Sequence, residues 1–235
     1  MILTYNNKLA NLSGHLRDYG DPYNPCFLDP GIVRFAFYDS SYDPNTDWNH
    51  PHSSHGSFTY VGTETRNGTT YYIWDFDPKS YGMQEHFKEL TKDFEVWGWH
   101  TSSDTPSVEY SFRASKLKKI VTNLDLSVIN STEMFANSSL VEVTGKIRMN
   151  ATTMDGAFRN CADLVSVPVF DWTYIPANVD FMFQNCYVLG SGLYDFYQHC
   201  ISATSHKETF GGNCARGSVS GTAELALIPD NWKYY

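Results

Sequence analysis

The stretch MDGAFRNCADLVSVPVFDW, residues 154–172, decides the reading, because its phrases return along the chain. FRNC at 158–161 comes back as FQNC at 183–186. Upstream lie FANSSL at 135–140 and FRASKL at 112–117, and downstream a looser FGGNC at 210–214. The phenylalanine column is Phe112, Phe135, Phe158, Phe183 and Phe210, with steps of 23, 23, 25 and 27 residues. A leucine column keeps pace at Leu117, Leu140, Leu164 and Leu189. Three strand-like runs open on it, LKKIV, LVEV and LVSVP. Further on come DL, RM and DW at 125–126, 148–149 and 171–172.

A period of 20–29 residues with apolar columns is the signature of a leucine-rich-repeat-like solenoid. One coil cannot bury its own apolar face, whereas stacked coils bury each other's at about 4.8 Å spacing. Five coils would then extend roughly 20 Å. The column after the phenylalanine reads Ala114-Ser115, Asn137-Ser138, Asn160-Cys161, Asn185-Cys186 and Asn213-Cys214. Asparagine can satisfy backbone groups at a buried turn. The small residue beside it alternates between Ser and Cys, which a required disulfide or metal ligand would not tolerate, so the column reads as a packing slot.

The pattern M-x-x-x-F-x-N-C-x-x-L-x-x-V-P-x-F-D resembles the BspA-type surface leucine-rich repeat and the related mycoplasma-lipoprotein-associated repeat. The match is best at 154–172, next at FMFQNCYVL (181–189), and lacks the cysteine in EMFANSSLVEV (133–143). It covers about residues 112–215, under half of the chain. Such repeats occur on bacterial surface proteins and in gut-phage proteins, so the resemblance implies adhesion or recognition. It brings no catalytic residues.

The first hundred residues follow another rule. GIVRFAFYD (31–39) alternates Val33, Phe35 and Phe37 against Ile32 and Arg34, as a strand does. GSFTYVGTETRNGTTYYIWDF (56–76) reads as a hairpin turning at Asn67-Gly68. GMQEHFKELTK (82–92) suggests a short helix, and DFEVWGWH (93–100) and SVEYSF (107–112) suggest strands. GLYDFYQHC within 190–209 suggests a helix between coils, and 222–227 another near Trp232. The expected fold is mainly β (α+β). It has an N-terminal arm (1–20), an antiparallel β domain (21–108) and a leucine-rich-repeat-like solenoid (109–215) with a helical insertion near 190–209. A C-terminal cap (216–235) follows.

Composition narrows the function. A net charge of −9 disfavours a phosphate backbone as partner, so nucleic-acid binding is not expected. No run of apolar residues is long enough for a transmembrane helix, and membrane insertion is not expected. The N-terminus lacks the regions of a signal peptide. Five cysteines, Cys26, Cys161, Cys186, Cys200 and Cys214, are too few and odd in number for a disulfide scaffold.

Candidate chemistry is sparse. His50, His52 and His55 lie close together and are the candidate metal ligands, but no second cluster accompanies them. Asp43, Asn45 and Asp47 resemble the start of a calcium loop, yet Trp48 stands where glycine belongs and Ser54 where glutamate belongs. An exposed polar loop is the simpler reading. Asp75 and Asp77 form a carboxylate pair of the kind a glycosidase uses, without a supporting constellation. Trp97 and Trp99 alternate, which places them on one strand face as core or as a sugar-stacking platform. Lys118, Lys119, Glu142 and Ser166 fall between buried columns and are candidate binding-surface residues.

The expectation is a non-enzymatic recognition or structural protein with no cofactor: a bacteriophage virion component of tail, fibre or head surface, located on the virion. Its partners would be other virion proteins or a host cell-surface protein or glycan, and it could form a homo-oligomer. The alternatives are a bacterial cell-surface adhesin and, from another class, a polysaccharide hydrolase.

Overall fold

The computed structural model describes residues 3–5, 8–10, 16–18, 32–46, 56–77, 87–100, 108–126, 130–149, 151–172 and 174–234. The structure is mainly β, with a large mixed sheet and few helices. Strands β1 (Leu3–Tyr5), β2 (Lys8–Ala10) and β3 (Leu16–Asp18) pair antiparallel in a small sheet of their own. The other nine strands among the described residues belong to one sheet.

The first half of that sheet is antiparallel. Strand β4 (Val33–Phe37) lies between β6 (Thr69–Asp77) and β7 (Phe94–His100), and β5 (Ser57–Arg66) pairs with β6. The β5–β6 hairpin turns at Asn67 and Gly68, with φ of 49° and 81°. Both are positive, as a two-residue turn matching the strand twist requires. Val33, Phe35 and Phe37 point into the core as their alternation predicts, while Ala36 is buried on the opposite face.

Strand β7 is the joint between two modes of pairing. It runs antiparallel to β4, but parallel to β8 (Leu117–Ile120) and β9 (Leu124–Leu126). From there the sheet grows in parallel through β10 (Glu142–Val143), β11 (Lys146–Met149) and β12 (Val169–Asp171). One hydrophobic cluster runs from Val33 to Trp232 and includes residues on both sides of the boundary expected at 108/109.

The phenylalanine phrase forms a tight turn, and the turns stack. In the turn around Phe112, the N–H groups of Val108, Tyr110, Phe112 and Ala114 donate to the carbonyls of Asn130, Thr132, Met134 and Ala136 in the next turn, at 2.8–3.1 Å. The intervening N–H groups of Ser111, Arg113 and Ser115 bond back to residues three earlier in their own turn. From Tyr110 to Ser115 every peptide N–H has a backbone acceptor, which a buried backbone demands. The same alternation recurs around Phe135, Phe158 and Phe183.

This pattern needs left-handed residues two before and two after each phenylalanine. They are Tyr110 and Ala114, Glu133 and Asn137, Gly156 and Asn160, Phe181 and Asn185, and Glu208 and Gly212, with φ between 46° and 63°. Asparagine tolerates that region better than other side chains, which explains its column. The column is also a side-chain ladder. Asn160 Nδ2 donates to Asn137 Oδ1 and Asn185 Nδ2 to Asn160 Oδ1, both at 2.8 Å, and Asn213 N donates to Asn185 Oδ1 at 2.9 Å.

The phenylalanines themselves stack. Ring centroids are 5.7 Å apart for Phe112–Phe135, 5.0 Å for Phe135–Phe158, 5.6 Å for Phe158–Phe183 and 6.0 Å for Phe183–Phe210. The column extends further than its sequence phrase. Phe87 stacks on Phe112 at 5.1 Å at one end, and Trp232 on Phe210 at 6.4 Å at the other. Each buried ring contributes about 1.5–3 kcal/mol by area alone.

Several expectations are corrected. Residues 108–112 are not a strand: they form one of the stacked turns, because alternate N–H groups are taken by the neighbouring turn, and residue 107 lies outside the described residues. Within 82–92, residues 87–90 form a turn holding Phe87 in the core instead of a helix, and 82–86 lie outside the described residues. LVSVP does not form a strand; the pairing falls at β12, immediately after it. FGGNC is out of register by one residue, since Gly212 occupies the left-handed slot where Asn213 was placed. Helix α1 (Leu193–Cys200) lies in the segment that breaks the repeat, and helix α2 (Val219–Leu225) lies in the C-terminal segment. Ile228 and Trp232 bury against the last turn.

Candidate recognition face

The antiparallel half has its core on one face and a polar, aromatic cluster on the other. Strand parity builds that outer face: Arg34, Ala36 and Tyr38 follow β4, Tyr71, Ile73 and Asp75 lie along β6, and Glu95 and Trp97 come from β7. Arg66 reaches over it from the end of β5.

Glu95 organises the cluster. It is only 4% exposed, yet three donors converge on its carboxylate. Tyr38 Oη donates to Oε1 at 2.5 Å, Tyr71 Oη to Oε1 at 3.3 Å, and Trp97 Nε1 to Oε2 at 2.7 Å. A buried carboxylate is tolerable when its lone pairs are filled in this way. The bonds hold three rings in fixed positions, with centroids 5.1 Å apart for Tyr38–Tyr71 and 4.9 Å for Tyr71–Trp97. Burial first, and then the Glu95 carboxylate, pushes the Tyr38 hydroxyl well above its ordinary pKa, and Tyr71 is raised by the same causes. These phenols stay protonated and act as donors, not as nucleophiles.

Charged groups frame the rings. The Arg66 guanidinium sits 3.6 Å above the Trp97 ring, and its Nε donates to Glu64 Oε1 at 2.6 Å. Lys119 lies opposite Glu95 in the β7–β8 register, and its ammonium is 3.2 Å from Glu142 on β10. Lys118 faces Asp93 at 3.7 Å. Lys118, Lys119 and Glu142, selected from the sequence as surface residues, are therefore partly exposed and paired. Ser166 is half-buried in a bend two residues after Leu164, the third leucine of the column.

Trp97 and Trp99 do not share a face. The β4–β7 register shifts between Arg34 and Phe35, which face Gly98 and Val96 and leave Trp97 as the extra residue of a bulge. A bulge breaks the two-residue alternation. Trp99 accordingly turns into the core, 5.5 Å from Phe112, and Trp97 packs with Ala36 and Ile73 on the outer side. Both are buried, so the paired platform that alternation suggests does not form.

The other candidates resolve as architecture where they are described. His50, His52, His55, Asp47, Trp48 and Ser54 lie outside the described residues. Among the described residues no group of three or more His, Cys, Asp or Glu is placed to hold a metal ion. Asp43 bonds Asn45, whose side chain accepts from Phe58 N and so ties that turn to β5. Asp75 is held by both Arg34 Nε and Nη2 at 2.7 Å, so one carboxylate of the Asp75/Asp77 pair is committed to an ion pair. The Cys161 and Cys186 thiols donate to the carbonyls of Phe135 and Phe158, each at 3.1 Å. Burial pushes the thiols of Cys161, Cys200 and Cys214 up to about 12 and also raises that of Cys186 well above its ordinary value. They fill slots and stay unreactive.

Sequence reasoning missed Tyr38, Arg66, Tyr71 and Glu95. Tyr38 continues the Arg34–Ala36 parity, a legible signal, but its meeting with Glu95 spans 57 positions. Among the described residues no helix is long and apolar enough to cross a membrane. The chain matches no protein-family model, no curated protein and no solved structure.

Proposed function

We propose that the chain is a non-enzymatic recognition protein of a bacteriophage virion surface, whose stacked turns constitute a short leucine-rich-repeat-like solenoid. The solenoid grows from one edge of an antiparallel sheet, and the outer face of that sheet is the recognition surface. The observation that carries this reading is the Glu95 cluster. A buried carboxylate there fixes three aromatic rings with donors kept protonated, which favours binding over acid–base chemistry. The resemblance of the M-x-x-x-F-x-N-C phrases to repeats of surface and phage proteins supplies the setting. Other virion proteins or a host surface protein or glycan would be its partners.

Two measurements test this. Solution mass by light scattering across concentration should give a trimer or hexamer, the form that a symmetric virion attachment takes. A monomer at every concentration counts against the virion setting. Incubation with host-surface polysaccharide should release no reducing ends, and steady release would overturn the non-enzymatic reading.

A further inference from the structure

The stack ends in an incomplete rung. In the turn around Phe183, the N–H groups of Phe181, Phe183 and Asn185 donate to the carbonyls of Lys207, Thr209 and Gly211 at 2.8, 2.8 and 3.2 Å. In the last turn, Phe210 N still finds Trp232 O at 3.1 Å. The next donor in sequence, Gly212 N, corresponds to Asn185 N and should meet a carbonyl two residues past Trp232. There the chain curls away. Lys233 N and Tyr234 N both turn back to Asp230 O, at 2.9 and 2.8 Å. The Gly212 N–H has no acceptor among the described residues.

A cleft of about 290 Å³ opens at this point, lined by Gly212, Arg216, Thr222, Lys233 and Tyr234 among others. Its charge is one-sided. Arg216 is exposed and makes no ion pair among the described residues. Lys233 Nζ is held near the cleft by Leu225 O at 3.2 Å and Asp230 Oδ1 at 2.9 Å, which occupies two of an ammonium's three donors. No carboxylate lines the cleft among the described residues. Gly212 also cannot be replaced without loss, because a Cβ there would lie 2.1 Å from Asn185 Oδ1 at a φ of 63°.

We propose that this cleft binds an acidic, extended peptide segment of a partner protein. One backbone carbonyl of that peptide accepts from Gly212 N–H and completes the missing rung. A side-chain carboxylate of the same segment faces Arg216 and the spare donor of Lys233. The site is separate from the outer sheet face and rests only on the rung pattern and the charge of the cleft.

The test uses the full chain, labelled for amide NMR and hydrogen exchange. The probe is a capped hexapeptide alternating threonine and glutamate, compared with its threonine–glutamine counterpart. The acidic peptide should shift the Gly212 amide and slow its exchange about tenfold, and the glutamine peptide should do neither. Arg216→Gln, a change at an exposed site, should weaken the interaction about fivefold. A Gly212 amide unmoved at about 1 mM acidic peptide overturns the proposal. So does unchanged affinity in Arg216→Gln, or an equal shift from sodium acetate alone at matched carboxylate concentration.

Discussion

Replacing Asn160 by alanine and by glycine separates the two jobs that its column performs. Asn160 holds a φ of 58° and makes two side-chain bonds of 2.8 Å, to Asn137 and from Asn185. Losing two such bonds at a partly hydrated edge costs about 1–2 kcal/mol. Alanine also meets the left-handed strain, about 1–2 kcal/mol, which glycine escapes. Glycine returns about 0.5–1 kcal/mol of that advantage through the greater freedom of its unfolded chain. Asn160→Ala should therefore cost about 2–4 kcal/mol and Asn160→Gly about 1.5–3 kcal/mol, with glycine the milder change. Urea unfolding read by tryptophan fluorescence measures both, provided the slope stays constant. The refuting result is an alanine variant as stable as the glycine one. It would mean that the left-handed slot is not what selects asparagine.

Phe158→Ala removes a ring held between Phe135 and Phe183 and should cost about 3–5 kcal/mol, with a double-mutant cycle against Phe135 giving a coupling of about 0.5–1.5 kcal/mol. Strict additivity in that cycle would show that the stack adds nothing beyond burial. Asp155 has a raised pKa, first through burial and then through Asp180 and Glu133, so the folded chain binds its proton more tightly than the unfolded chain does. Stability from this group is thus present at low pH and falls as pH rises through the ordinary carboxylate range. Asp155→Asn should be more stable than the parent at pH 7, with the gain vanishing below about pH 4; a gain that persists at pH 3 would point to packing instead. At pH 8, a disulfide thiol reagent should leave Cys161, Cys186, Cys200 and Cys214 untouched in the native protein and label all five cysteines after denaturation. Rapid native labelling of any of those four would contradict their burial.

The stacked turns were legible because their rule is local and repeated. Each phenylalanine, asparagine and small residue performs the same task one turn later, so five imperfect copies reveal what one would hide. Phe87 escaped because Glu89 stands in its left-handed slot, so the asparagine that flags the later turns is missing. Trp232 escaped because a larger ring fills the same place. The strand expected at 107–112 failed because alternating apolar residues also suit a turn whose N–H groups alternate between neighbours. The outer face was hidden for a different reason. Glu95, Tyr38 and Tyr71 meet through strand pairing across the chain, and the one local clue, Trp97 and Trp99, was inverted by a bulge that only the register with β4 reveals.

Strand β7 makes length a free variable of this molecule. On its β4 side the sheet is a closed design, with each strand tailored to its neighbours. On its other side, every turn presents the same donors it received, so the chain contains a unit that can be counted. Duplicating or deleting one Phe-to-Phe interval, such as the 23 residues from Phe135 to Phe158, would change the distance between the outer face and the C-terminal cleft by one layer. Neither end would have to be redesigned. The protein in this sense contains a ruler, set by how many times the phrase is spelled.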